Sequence, residues 1–155
     1  GEGQGVLIPI RLTLERYSVP HALDRLTERD SAELGKQVWL MEQAAATDDL
    51  GRNVEADLRF HEIVIAASGQ THTVQIWRTI WPRIRAYFYR YGRGQDLARM
   101  VDEHRELLAA VQAHDREMML TQLERHIAVP APTQTPARRR SPVDKRAAAT
   151  ARSTR

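Results

Sequence analysis

Three stretches of this chain repeat apolar residues at helical spacing, and none shows a convincing period of two. Val54 to Ser68, Val74 to Tyr89 and Val101 to Ile127 place large apolar side chains three and four apart, which lays them along one side of an α-helix. A half-buried strand would need alternation instead. The predicted fold class is therefore all-α, an antiparallel bundle of about six helices with short connections. Breaks are expected at Pro20, Asp48-Asp49, Ser68-Gly69, Tyr91-Gly92-Arg93-Gly94 and His114-Asp115. Pro9 and Pro82 should start or kink helices. Thr27, with Asp30 three residues on, has the make-up of an N-terminal cap.

The helical pattern stops near residue 128. Beyond it come Pro130, Pro132, Pro136 and Pro142, the run Arg138-Arg139-Arg140, and an ending of Ala, Arg, Thr and Ser. So few large apolar side chains cannot offset the entropy of ordering, and residues 129–155 are expected to be a disordered basic tail. The net charge of +3 averages two unlike regions. Residues 1–127 carry 16 basic and 19 acidic side chains, whereas 128–155 carry seven basic and one acidic. The high pI thus says nothing of a basic nucleic-acid face on the folded part. Residues 1–128 suit one domain. No apolar run is long enough to cross a membrane, so no membrane partner is expected. The absence of cysteine rules out disulfides and thiolate metal sites and fits a cytoplasmic protein.

Within this body, several polar residues sit on stripes that should face inward. Asp57 and His61 are four apart, hence on one helix face, and His61 lies among Phe60, Val64 and Ala67. His104 shares a stripe with Val101, Leu108 and Val111, and His126 shares one with Met119 and Leu123. Taken singly, each could be a core histidine satisfied by a neighbour, and Asp57 with His61 could be a local hydrogen-bonded pair. Taken together, three inward imidazoles and a carboxylate make a donor set suited to Zn, Ni, Mn or Fe, and a bundle interior is a good place for one. His21, His72 and His114 lie at or near expected breaks and are read as structural or solvated. The aromatic residues Trp77, Trp81, Tyr87, Phe88, Tyr89 and Tyr91 share one helix and are read as core or dimer contact. No nucleophile elbow or glycine-rich phosphate loop occurs.

Asp57-Leu58-Arg59-Phe60-His61, continuing to Ala67-Ser68-Gly69-Gln70, resembles the D-x-x-F-H signature of the FCD domain. That is the effector-binding domain of FadR-type regulators in the GntR family. Glu103-His104-Arg105-Glu106-Leu107-Leu108, with Ala110-Val111 and Asp115, resembles its second signature. His126 stands where that family places its last histidine. Arg11-Leu12-Thr13-Leu14-Glu15 resembles the start of its first helix. Gln70 and His114 depart from the family's usual Asn and Gly.

The resemblance implies a homodimer that binds a divalent metal through Asp57, His61, His104 and His126. It also implies a small carboxylate metabolite as effector, with Arg11 as a candidate contact; an i,i+4 pair with Glu15 is the other reading of Arg11. DNA would be read by an N-terminal winged helix-turn-helix, which these residues lack, so the chain is expected to begin at the sensor domain. The expectation is a sensor rather than an enzyme. A metal-dependent hydrolase using the same cluster is the alternative, although no HExxH-like base accompanies it. The basic tail could add weak, nonspecific contact with nucleic acid.

Overall fold

The computed structural model describes residues 4–128, and the expected tail lies outside them. Six helices follow in order: α1 (Gln4–Leu23), α2 (Glu28–Ala46), α3 (Leu50–Ala67), α4 (Thr71–Tyr91), α5 (Leu97–Gln112) and α6 (Arg116–Ala128). There is no strand among the described residues, and no helix among them is long and apolar enough to cross a membrane.

Short polar residues set the helix starts. Thr27 accepts a hydrogen bond from the Asp30 amide at 3.1 Å, and the Asp30 carboxylate accepts one from the Thr27 amide at 2.9 Å, so two orphan donors are met reciprocally. Asp49, Asp96 and Asp115 each accept from the amide three residues on. The turns before α3 and α6 use left-handed residues, Asp48 at φ 51° and His114 at φ 50°. Before α4 that role falls to Gly69 at φ 69°, a conformation glycine adopts without steric cost.

One expected break does not occur. α1 runs through Pro9 and on through Pro20 to Leu23. Pro20 removes a single backbone bond close to the helix end. Val19, Ala22 and Leu23 in that turn are all buried, which outweighs the loss. As a result His21 lies in the last turn of α1, tilted against Tyr17. His72, expected in a loop, stands in the first turn of α4.

α3 is the central element. It contributes to all three apolar clusters: Phe60, Ile63 and Val64 to the first, Val54, Leu58 and Ile65 to the second, and Ala56 to the third. Polar residues on such a helix belong on its solvent-facing strip, which here holds Arg52, Glu55, Arg59 and Ala66. Yet Asn53, Asp57 and His61, spaced four apart, are all buried on it.

Candidate metal centre

Asp57 and His61 come from α3, His104 from α5 and His126 from α6. The structure brings all four together, with one ligand atom from each lying within 4.8 Å of every other. Asp57 Oδ1 is 2.7 Å from His104 Nε2, 3.2 Å from His61 Nε2 and 3.7 Å from His126 Nε2. His61 Nε2 and His126 Nε2 are 3.2 Å apart. The His61 and His126 rings lie parallel, and His104 stands edge-on to both.

Each imidazole is anchored from behind. His104 Nδ1 is 2.8 Å from the Met100 carbonyl. A carbonyl can only accept, so this nitrogen carries the hydrogen. His126 Nδ1 donates to Glu103 Oε2 at 2.9 Å, and His61 Nδ1 donates to Glu15 Oε2. In the neutral rings every Nε2 is then a lone pair aimed at the centre. Burial above all pushes the His104 pKa down, with His126 and His61 adding to it, and the opposing pull of Asp57 does not reverse this. With Nδ1 carrying its hydrogen toward Met100, a neutral His104 would turn a lone pair onto the Asp57 carboxylate at 2.7 Å, so this contact calls for either a cation between them or a second proton on the ring.

Burial by itself would raise the Asp57 pKa, but His104, with His126 and His61, holds it well below the usual carboxylate range. Its Oδ2 is buried and has no partner among the described residues. The donor set fits a divalent transition ion. Two atoms bound to one zinc at about 2.0–2.1 Å sit roughly 3 Å apart, and the Oδ1 to Nε2 separations of 2.7–3.7 Å bracket that figure. Without such an ion, a proton on His126 takes the cation's place. Burial opposes it, but the Asp57 carboxylate 3.7 Å from its Nε2 and the hydrogen bond to Glu103 raise the His126 pKa to about 9.

Glu15 sits behind His61 and is 2% exposed. Burial would raise its pKa, yet His61 and Arg11 lower it to about 2. Arg11, 5% exposed, donates from Nε to Glu15 Oε1 at 2.7 Å. The i,i+4 pair is thus present, and it leaves Arg11 Nη2 buried with no partner among the described residues. The Arg11 guanidinium carbon is 5.9 Å from the centre of the Trp77 ring.

Sequence reasoning found the four converging residues but not their supports. Glu15 was seen only as a partner of Arg11, although Arg11, Glu15 and Ser18 form a buried polar stripe on an otherwise apolar face. Glu103 adjoins His104 in sequence, and neighbours on a helix point in different directions. It reaches across to His126 on the next helix instead, with its other oxygen held by Arg99 at 3.0 Å. The Met100 carbonyl carries no side-chain signal at all. His114 Nδ1 bonds the Leu23 carbonyl and His72 Nδ1 contacts Gln75; neither they nor His21 join the cluster.

A family model for the FCD domain matches residues 7–129. The gluconate operon transcriptional repressor of Bacillus licheniformis is 20% identical over 128 residues, covering 79% of this chain and 53% of that protein. The chain thus spans about half the length of the curated relative it matches. Among solved structures, E. coli McbR/YncC superposes with a TM-score of 0.74 at 23% identity, covering 83% of this chain and 65% of that one. Streptococcus agalactiae GntR gives 0.67 at 21% identity, covering 79% and 55%. At these identities the likeness is one of fold.

Proposed function

The chain belongs to the FCD-domain family, the effector-binding domains of GntR-type transcriptional regulators, and on that premise we propose that it senses a small carboxylate metabolite beside a divalent transition metal. Asp57, His61, His104 and His126 would hold the ion. The observation that carries this reading is the inward convergence of three Nε2 atoms on Asp57 while every Nδ1 is anchored outside. Zn, Ni and Mn all suit three imidazoles and one carboxylate. When bound, the ion supplies a Lewis-acidic centre that attracts an anionic oxygen.

The chain's own residues do the rest. Glu15, Glu103 and the Met100 carbonyl fix the ring orientations, and the surrounding core excludes water. Arg11, with one nitrogen still unpaired, neutralises the effector's anionic end. Because Arg11 and Glu15 both lie on α1, an effector that binds one setting of α1 better shifts the population toward it. The surface of α1 supports a dimer. Val6, Ile10 and Tyr17 share its outer face, at 57%, 43% and 53% exposure, and we assign that face to the pairing of two copies. DNA contact would belong to a winged helix-turn-helix of the kind such regulators carry.

Elemental analysis of the purified protein tests the first half. The expected result is close to one divalent ion per chain, mostly lost in His104→Ala. A thermal-shift screen of organic acids tests the second half, since a ligand that binds only the folded state raises the melting temperature. If no carboxylate raises it with metal present, the chain is not such a sensor.

A further inference from the structure

The four candidate ligands are not equally enclosed. Asp57, His61 and His104 are buried, whereas His126 is only partly so. Its Nε2 also stands farthest from Asp57 Oδ1, at 3.7 Å against 3.2 Å for His61 and 2.7 Å for His104. Asp57 and His61 are carried by the central helix α3, and His104 lies midway along α5. His126 belongs to the last turn of α6, and helix ends open at less cost than helix middles.

The supports behind the rings differ in the same direction. Glu15, behind His61, is buried, and the Met100 carbonyl, behind His104, belongs to a buried residue. Glu103, behind His126, has 28% of its side chain in solvent, and Arg99, which holds its other oxygen, has 64%. A path from solvent to the centre that leaves α3 in place and breaks no buried pair therefore runs past Glu103 and the His126 ring.

We propose that the ion enters and leaves between α5 and α6, with His126 as the ligand that swings and the Arg99–Glu103 pair as the latch that holds it in. This rests on the metal-binding half of the function above and adds the path by which the centre fills. Arg99 and Glu103 are positioning residues, because they act through His126 Nδ1. A latch restrains the ring whether the centre is full or empty, so it slows loading and release together. A residue that only strengthens a ligand slows release alone.

Stopped-flow mixing of the metal-free full chain with cobalt(II), whose absorption reports ligation, reads loading. Chasing the loaded protein with excess chelator reads release. Arg99→Ala removes an exposed ion pair without touching His126, so both rates should rise about twofold, with the affinity unchanged. Glu103→Ala frees the ring outright. It should bind cobalt more weakly than the unaltered chain and yet load it about tenfold faster. Arg105→Ala is the control: it breaks exposed pairs with Glu42 and Asp102 from the same helix and should change neither rate. Weaker binding by Glu103→Ala at an unaltered loading rate would overturn the latch. Equal acceleration by Arg105→Ala and Arg99→Ala would do so too, since it would mean a general loosening of α5. Protein that takes up no cobalt would overturn the metal centre itself.

Discussion

His61 is gripped between Glu15 and the centre, so its usefulness as a ligand depends on a residue that never reaches the ion. Glu15→Gln keeps an acceptor for His61 Nδ1 but removes the negative charge that Arg11 and the imidazole share. Losses of outer partners of this kind weaken metal binding by roughly 10–100-fold. A competition titration with a coloured chelator should show a drop of that order, with the fold retained. Unchanged affinity would make Glu15 a partner of Arg11 only. Two pH effects follow from the same cluster. The Glu15 pKa is lowered from 4.5 to about 2, so its stabilisation is complete above 4.5 and fades as pH falls toward 2. The His126 pKa is raised from 6.5 to about 9, so in metal-free protein its stabilisation is complete below 6.5 and is lost as pH rises through 9. Chelator-treated protein should therefore melt progressively lower between pH 6.5 and 9, whereas metal-loaded protein, with an ion in place of that proton, should not follow. Parallel pH–melting curves for the two forms would contradict this. The four converging residues were legible in the sequence because a charge or imidazole on an apolar stripe stands out. Glu15 and Glu103 were not, because which helix a long side chain reaches depends on packing that periodicity does not encode.

Among the elements, α3 carries most of the burden, since it contributes to all three apolar clusters and brings Asn53, Asp57 and His61 into one file. Its neighbours are held more locally. Thr27→Ala removes one half of the reciprocal cap on α2 and should destabilise the domain by about 1 kcal/mol, read as a lower denaturation midpoint with metal content unchanged. A null effect would mean that tertiary packing alone fixes the start of α2. Helix periodicity made α3 to α6 legible, the Thr27 cap marked the start of α2, and Asp48, Gly69 and His114 fall in the expected turns. Pro20 misled because local chemistry marks it as a breaker. What overrides it is the burial of Val19, Ala22 and Leu23 against other helices, which is invisible until those helices are placed.

At the scale of the whole molecule, the helices close around a polar centre, and one apolar stripe remains on the outside of α1. Replacing Ile10 and Tyr17 together with glutamate should turn a dimer into a monomer in sedimentation experiments, with metal retained. Double-variant protein that still sediments as a dimer would place the contact elsewhere. Such a surface is only half legible in sequence, because an exposed Ile and an inward one look alike until the opposite face is known to be covered. The central claim is that a cation sits where Asp57, His61, His104 and His126 converge, and anomalous diffraction from metal-loaded crystals measures it directly. The expected result is one strong peak about 2.0–2.2 Å from all three Nε2 atoms and from an Asp57 oxygen. A peak elsewhere, or none with the three imidazoles still clustered, would contradict it.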